Sequence, residues 1–255
     1  MVDDLVYDVG SHAGHDVAYY LHRGFRVVAI DANPKLIKRL GERFPGEIEA
    51  GRVELVNAAI GIEPGECELW LSASDDGSSS IFPGEVSDPA GSIQVPMVPL
   101  TSIFQQFGSP FYMKVDIQGA DRFCLEALTS APLPRYVSWE AGPGAVECLE
   151  LVRRLGYRNF KCIDQTVFRQ IDYLLSFQGR LSRRWRRWTG QETDQGIQRS
   201  GWNFIPGHSS GPFGEDTDGH WRSFEQIRKE WLAFEARVRM FRRPPAWYDF
   251  HARLP

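Results

Sequence analysis

Four apolar runs in this chain end in a carboxylate: Asp8, Asp31, Asp116 and Glu140. Between the first two lies a glycine turn, Val9-Gly10-Ser11-His12-Ala13-Gly14. Glycine lets a backbone turn sharply and approach a ligand closely, and an acid at the end of the next strand can accept hydrogen bonds from ribose hydroxyls. These residue types in this order suit an adenosine-containing ligand. One acid at a strand end is often only a helix cap. Four in successive strands are harder to set aside, because carboxylates gathered on one rim repel each other without a ligand.

The turn also says which ligand is expected. A dinucleotide site asks for G-x-G-x-x-G, whose middle glycine makes room for a pyrophosphate. Here the spacing is Gly10-x-x-x-Gly14, with Ser11 and His12 between. Asp8, just ahead of the turn, repels a pyrophosphate but suits a cofactor with a cationic amino-acid end, such as S-adenosylmethionine. Asp8 would orient the turn or hold the cofactor's amino group, Asp31 would take the ribose, and Asp116 would lie close to a methyl-transfer centre. The segment Met113-Lys114-Val115-Asp116-Ile117-Gln118-Gly119-Ala120-Asp121 carries a lysine inside an otherwise apolar strand. In-line alignment of acceptor and donor supplies much of the acceleration in such a transfer, while deprotonating a hydroxyl needs a base or a metal.

The elements that must position these residues follow from pattern. Strands are expected at Leu5 to Val9, Arg26 to Asp31, Val53 to Ile60, Tyr112 to Ile117, Tyr136 to Glu140 and Asn159 to Asp164. Trp202 to Ile205 is read as a seventh. Helices are expected at His15 to Arg23, Pro34 to Phe44, Arg122 to Thr129 and Ala145 to Leu155, with short β-like pieces at Cys67 to Leu71 and Ile93 to Val98. This alternation predicts an α/β fold, a doubly wound and mostly parallel seven-stranded sheet with helices on both faces. Residues 1–206 would form the core, with 167–200 as an insertion or lid. Residues 207–255 would form a loop and a helical extension packed on it.

Composition narrows the classes. The apolar fraction of 42% and charged fraction of 24% are ordinary for a globular protein. A net charge of −4 gives no global field for nucleic acid or anionic lipid. The four widely spaced cysteines contain no C-x-x-C pair, which argues against zinc and for a reduced, cytoplasmic chain. No apolar run approaches the ~20 residues of a membrane span. His12 and His15 flank the turn, but no third ligand at a recognisable spacing joins them. They read as lining the pocket and capping the helix, and a divalent metal is left open.

Taken together, Asp8-Val-Gly-Ser-His-Ala-Gly14, Asp16-Val-Ala-Tyr-Tyr-Leu21, Val27-Val-Ala-Ile-Asp-Ala-Asn-Pro34, Asn57-Ala-Ala-Ile-Gly61 and Met113-Lys-Val-Asp-Ile-Gln-Gly-Ala-Asp121 resemble the FkbM family of S-adenosylmethionine-dependent methyltransferases. The resemblance runs from about residue 5 to 165. It implies a class I methyltransferase (Rossmann-like) fold and O-methylation of a hydroxyl on a sugar, glycan or natural product. It implies a cofactor site at Asp8, Gly10, Ser11, His12 and Gly14, continuing through Asp31, Ala32 and Asn33, with Ala58 and Ala59 near the adenine. Asp116 would stand at the reaction centre as the catalytic residue. Ser78-Ser79-Ser80 resembles the family's serine-containing loop over the site, so Ser79, Ser80, Gln118 and Glu140 are the acceptor-side candidates.

The chain departs from the family pattern. Asp31 stands where glutamate is usual, Gln118 replaces a usual glutamate, His12 replaces a frequent asparagine, and the chain begins at the first strand, without the N-terminal cap that often encloses substrate. Two rival readings remain. An RNA methyltransferase would use Arg180–Trp188, with its five arginines and two tryptophans in nine residues. A cofactor-binding domain without transfer is suggested by Gln118 and the missing cap.

Overall fold

The computed structural model describes residues 2–142, 144–171, 196–205, 207–240 and 247–255. The Arg180–Trp188 cluster, and with it most of the 167–200 segment, lies outside the described residues. The chain divides into two compact units, Met1–Pro143 and Gly144–Pro255.

In the first unit the apolar runs become parallel strands. These are β1 (Val2–Val9), β2 (Arg26–Asp31), β3 (Val53–Asn57), β7 (Pro110–Val115) and β8 (Tyr136–Glu140), in the spatial order β8-β7-β1-β2-β3. Between β3 and β7 the chain forms β4 (Ala59–Gly61), β5 (Gly65–Ser72) and β6 (Pro89–Pro99), a separate three-stranded sheet. From β1 the chain winds outward through β2 to β3, then returns to β7 on the other side. The strand order therefore switches between β1 and β7, where open α/β sheets bind ligands.

Register decides which side chains meet. Across the β1–β7 pair Asp8 stands opposite Lys114, and across β2–β3 Asp31 stands opposite Asn57. Tyr7 and Asp8 alternate faces. The Tyr7 hydroxyl donates to the Gly108 carbonyl at 2.5 Å, at the C-terminal end of α4 (Leu100–Phe107), while Asp8 lies on the side of α1 (His15–His22). Helices thus cover both faces, as expected from the alternation.

The helices have local causes. In α2 (Pro34–Arg43), Pro34 suits the first turn, and Asn33 caps it by accepting from the Lys35 N–H at 3.0 Å. Leu36 and Leu40, four apart, turn one face into the core. A short helix, α3 (Pro45–Glu49), follows, and α5 (Asp121–Ala127) opens directly after β7.

One expected strand is split. Val53 to Ile60 does not run straight: Asn57 Nδ2 donates to the carbonyls of Asp31 and Ala32, both at 3.0 Å, and the chain leaves the parallel ladder there. Ala59–Gly61 then pairs with β6 instead.

The second unit holds α6 (Ala145–Leu155), β9 (Asn159–Asp164), β10 (Arg169–Gln170), the hairpin β11 (Ile197–Arg199) and β12 (Trp202–Phe204), α7 (Phe224–Met240) and β13 (Tyr248–Arg253). The seventh strand read at Trp202 to Ile205 is corrected here. Trp202–Phe204 pairs only with Ile197–Arg199 among the described residues, and the strand beside β9 is β13, antiparallel to it. Buried Asp249 and His251 disguise that strand as a polar tail. No helix among the described residues is long and apolar enough to cross a membrane.

The packing of α2 can be measured. Leu40 is fully buried, and a Cβ on Gly14 would lie 2.5 Å from its Cδ2. Leu40→Ala is expected to cost about 2–5 kcal/mol in urea unfolding, and Ile62→Ala, at a site 70% exposed, less than about 0.5 kcal/mol. Equal costs would place the core elsewhere.

Candidate active site

The glycine turn is built against the end of β7. Gly10 has φ +84°, and a Cβ there would lie 1.8 Å from the Asp116 carbonyl oxygen. Position 10 therefore excludes any side chain on two grounds, space and backbone conformation. The N–H groups of Gly10 and Ser11 donate to the Ile30 carbonyl at 2.9 and 3.1 Å, tying the turn to β2. Ser11 Oγ donates back to the Asp8 carbonyl at 2.6 Å.

Asp31 links the turn to α2. Its Oδ2 accepts from the His12 N–H at 3.0 Å and its Oδ1 from the Asn33 N–H at 2.9 Å. Burial pushes this carboxyl above its ordinary range, and those two N–H groups oppose the rise. Each carboxylate oxygen keeps a second lone pair for a ligand hydroxyl. Beyond it, Ala58 and Ala59 are buried, and Ala59 packs with Leu69, Val95 and the partly buried Ala32.

Beneath the turn lies a buried ammonium among acids. Lys114 Nζ sits 3.3 Å from Asp8 Oδ1, 3.4 Å from Asp16 Oδ2 and 3.6 Å from Asp116 Oδ2, and donates to the Gly10 carbonyl at 3.2 Å. Side chains 114, 8 and 16 are sealed from solvent, whereas that of Asp116 is 15% exposed. Burial pushes the Asp8 carboxyl up to about 7; the Lys114 charge opposes this, and Asp16 and Asp116 add to it.

The rim continues along β7 and β8. Asp121 Oδ1 accepts from the Ile117 N–H at 2.9 Å and its Oδ2 from the Glu140 N–H at 3.0 Å, joining the two strand ends. Burial, reinforced by Asp116, raises Asp121 to about 6. Burial raises Glu140 to about 8, with Asp116, Asp121 and Glu85 adding negative field. Gln118 adopts φ +45° and holds its Nε2 3.5 Å from Asp116 Oδ1.

The serine loop closes over this edge. Ser80 Oγ donates to the Gln118 carbonyl at 2.7 Å, and Ser79 Oγ to the Asp76 carbonyl at 3.2 Å. Asp76 is bridged by Arg39 at 2.7 Å, and a Cβ on Gly77 would lie 3.1 Å from His12 Nε2. Among the described residues no group of three or more His, Cys, Asp or Glu could hold a metal ion.

The sequence profile of the methyltransferase FkbM domain matches residues 8–161, more than half of the chain. The chain belongs to the FkbM methyltransferase family. No curated protein sequence matches it. Among solved structures it is similar to precorrin-6y C5,15-methyltransferase from Geobacter metallireducens, at 14% identity and TM-score 0.38, covering 64% of this chain and 69% of that one. It is also similar to phosphoethanolamine N-methyltransferase 2 of Haemonchus contortus in complex with S-adenosyl-L-methionine, at 12% identity and TM-score 0.40, covering 100% of this chain and 49% of that one.

In this FkbM-family chain the turn residues Gly10 to Gly14, Asp31 and Asn33 are joined by direct hydrogen bonds, and Asp116, Gln118, Ser80 and Glu140 gather at the adjoining strand ends. Asp8 faces the buried lysine. Three groups were not singled out as site residues: Lys114, Asp121 and Glu85. A lone lysine in an apolar strand and an acid opening the next helix were the available signals for the first two. Nothing local marked Glu85.

Asp8, Asp121 and Glu140 are all raised above their unfolded values, which lie near 4. The folded state then binds more protons than the unfolded one between about pH 4 and pH 8, so these groups make stability fall as pH rises through that window. Urea midpoints are expected to be higher at pH 5 than at pH 8.5, with Glu140→Gln narrowing the gap. A gap unchanged in that variant would remove Glu140 from the account.

Proposed function

We propose that this chain transfers a methyl group from S-adenosylmethionine to a hydroxyl of a sugar, glycan or other small molecule. One observation carries the reading: Gly10 packs directly on the Asp116 backbone, so the glycine turn and the rim acid form a single site at the strand-order switch. The residues present fit the cofactor. Gly10 lets the turn close directly onto the Asp116 backbone, Asp31 has spare acceptor capacity for ribose hydroxyls, and the excess of carboxylates suits a positively charged donor. Ala58 and Ala59 leave an apolar wall for a base.

When bound, the cofactor would supply an electrophilic methyl on a sulfonium. The chain's own part is to hold and align the acceptor. In this reading Asp116, partly open to solvent, accepts the hydrogen bond and then the proton of an acceptor hydroxyl. Glu140, its carboxyl raised to about 8 by burial and the neighbouring acids, can in its protonated form donate a hydrogen bond to an acceptor oxygen. A rim of Glu85, Asp116 and Glu140 favours polyhydroxylated acceptors over anionic ones.

Calorimetry tests the cofactor first. Wild type should bind S-adenosylmethionine and S-adenosylhomocysteine but not NAD. Asp31→Ala should weaken binding at least tenfold, and Gly10→Val should abolish it. No binding by folded wild type would end the reading. Asp116→Asn should then lower kcat by about 10²–10⁴ while cofactor affinity stays within about threefold. Equal losses in the two would move Asp116 from chemistry to binding.

A further inference from the structure

We propose that Lys114 is a positioning residue of the transfer site: its ammonium fixes the Asp116 carboxylate and the Gly10 carbonyl relative to each other, anchored from beneath by Asp8 and Asp16. The proposal rests on the methyltransferase reading given above. Its geometry is that of a clamp. The lysine lies in β7 with Asp8 as its register partner on β1, and from there its Nζ reaches the first residue of the glycine turn, the first turn of α1 and the acid that follows β7. Two of its carboxylate partners are sealed and one opens on the rim.

A purely structural role accounts for less. A buried charge on a central strand is costly, and a well-packed apolar side chain often replaces a buried ion pair without loss. Pairing with Asp8 and Asp16 alone would satisfy the lysine, but it would not place the ammonium against Gly10 and Asp116. The field of Lys114 also reaches beyond its contacts: it opposes the upward shifts of Asp8, Asp31, Asp121 and Glu140 together. Among described residues the charged and titratable groups facing this centre include Asp8 of β1, Asp16 and Tyr20 of α1, Asp31 of β2, Asp116 after β7, Asp121 of α5 and Glu140 of β8. Glu85 faces Glu140, and His12 faces Asp31. Without the lysine charge Asp8, Asp31, Asp121 and Glu140 hold their protons to higher pH.

The test compares Lys114→Met, Lys114→Arg and the double variant Asp8→Asn/Lys114→Met, which removes the sealed acid along with its counter-charge if the single variant fails to fold. In ligand-free protein, carboxyl-carbon NMR titration should show the Glu140 inflection rising by about one pH unit or more in the Met variants and staying within a few tenths in Lys114→Arg. With S-adenosylmethionine and an accepted hydroxyl substrate, kcat should fall at least tenfold in the Met variants. The pH dependence of calorimetric cofactor affinity should move upward with the NMR inflections, and arginine should restore most of both. Folded Met variants with unmoved inflections would overturn the proposal, as would a kcat loss that arginine does not recover. If wild type binds no cofactor, the functional reading fails by itself, and the NMR arm still decides what Lys114 does to the rim.

Discussion

A buried ammonium surrounded by acids is the constraint on which this site depends. Lys114 lies within 3.6 Å of the carboxylates of Asp8, Asp16 and Asp116. No such group of acids would assemble under a backbone turn without a cation, because each added carboxylate raises the cost of ionising the others. With the lysine present, the turn after β1 and the acid after β7 are held together, and the Lys114 charge opposes the rise that burial imposes on the Asp8 carboxyl.

The fold supplies this arrangement through register. Asp8 and Lys114 are far apart in sequence yet opposite one another across the β1–β7 pair, at the place where strand order reverses. A shift of one residue would turn Asp8 to the opposite face, where Tyr7 bonds to α4. Gly10 enforces the same closeness from the backbone side, since any side chain there would meet the Asp116 carbonyl. Fold and site are specified here by the same few contacts.

What the sequence disclosed follows the range of the interactions. The strands at Arg26–Asp31, Tyr136–Glu140 and Asn159–Asp164 were legible because a continuous apolar run bounded by turn residues is a local signal. The break after Asn57 was not, because it depends on an amide reaching carbonyls 25 and 26 residues away. The strand at Tyr248–Arg253 was missed because Asp249 and His251 are buried in it, and a polar pattern reads as surface. At the site, the acids were visible as strand ends, and the family resemblance is matched by the family profile. Lys114 was visible only as an interruption. Its meaning needed the register.

In the proposed complex the adenosine end of the methyl donor lies across the glycine turn with its ribose on Asp31. A crystal structure of the full chain with S-adenosylhomocysteine tests this most directly. Ribose hydroxyls are expected within about 3.2 Å of the Asp31 carboxylate, with the ligand passing over Gly10 and Lys114 still bridging Asp8 and Asp116. A ligand bound away from the β1–β7 switch, or an Asp31 that does not touch it, would rule this placement out.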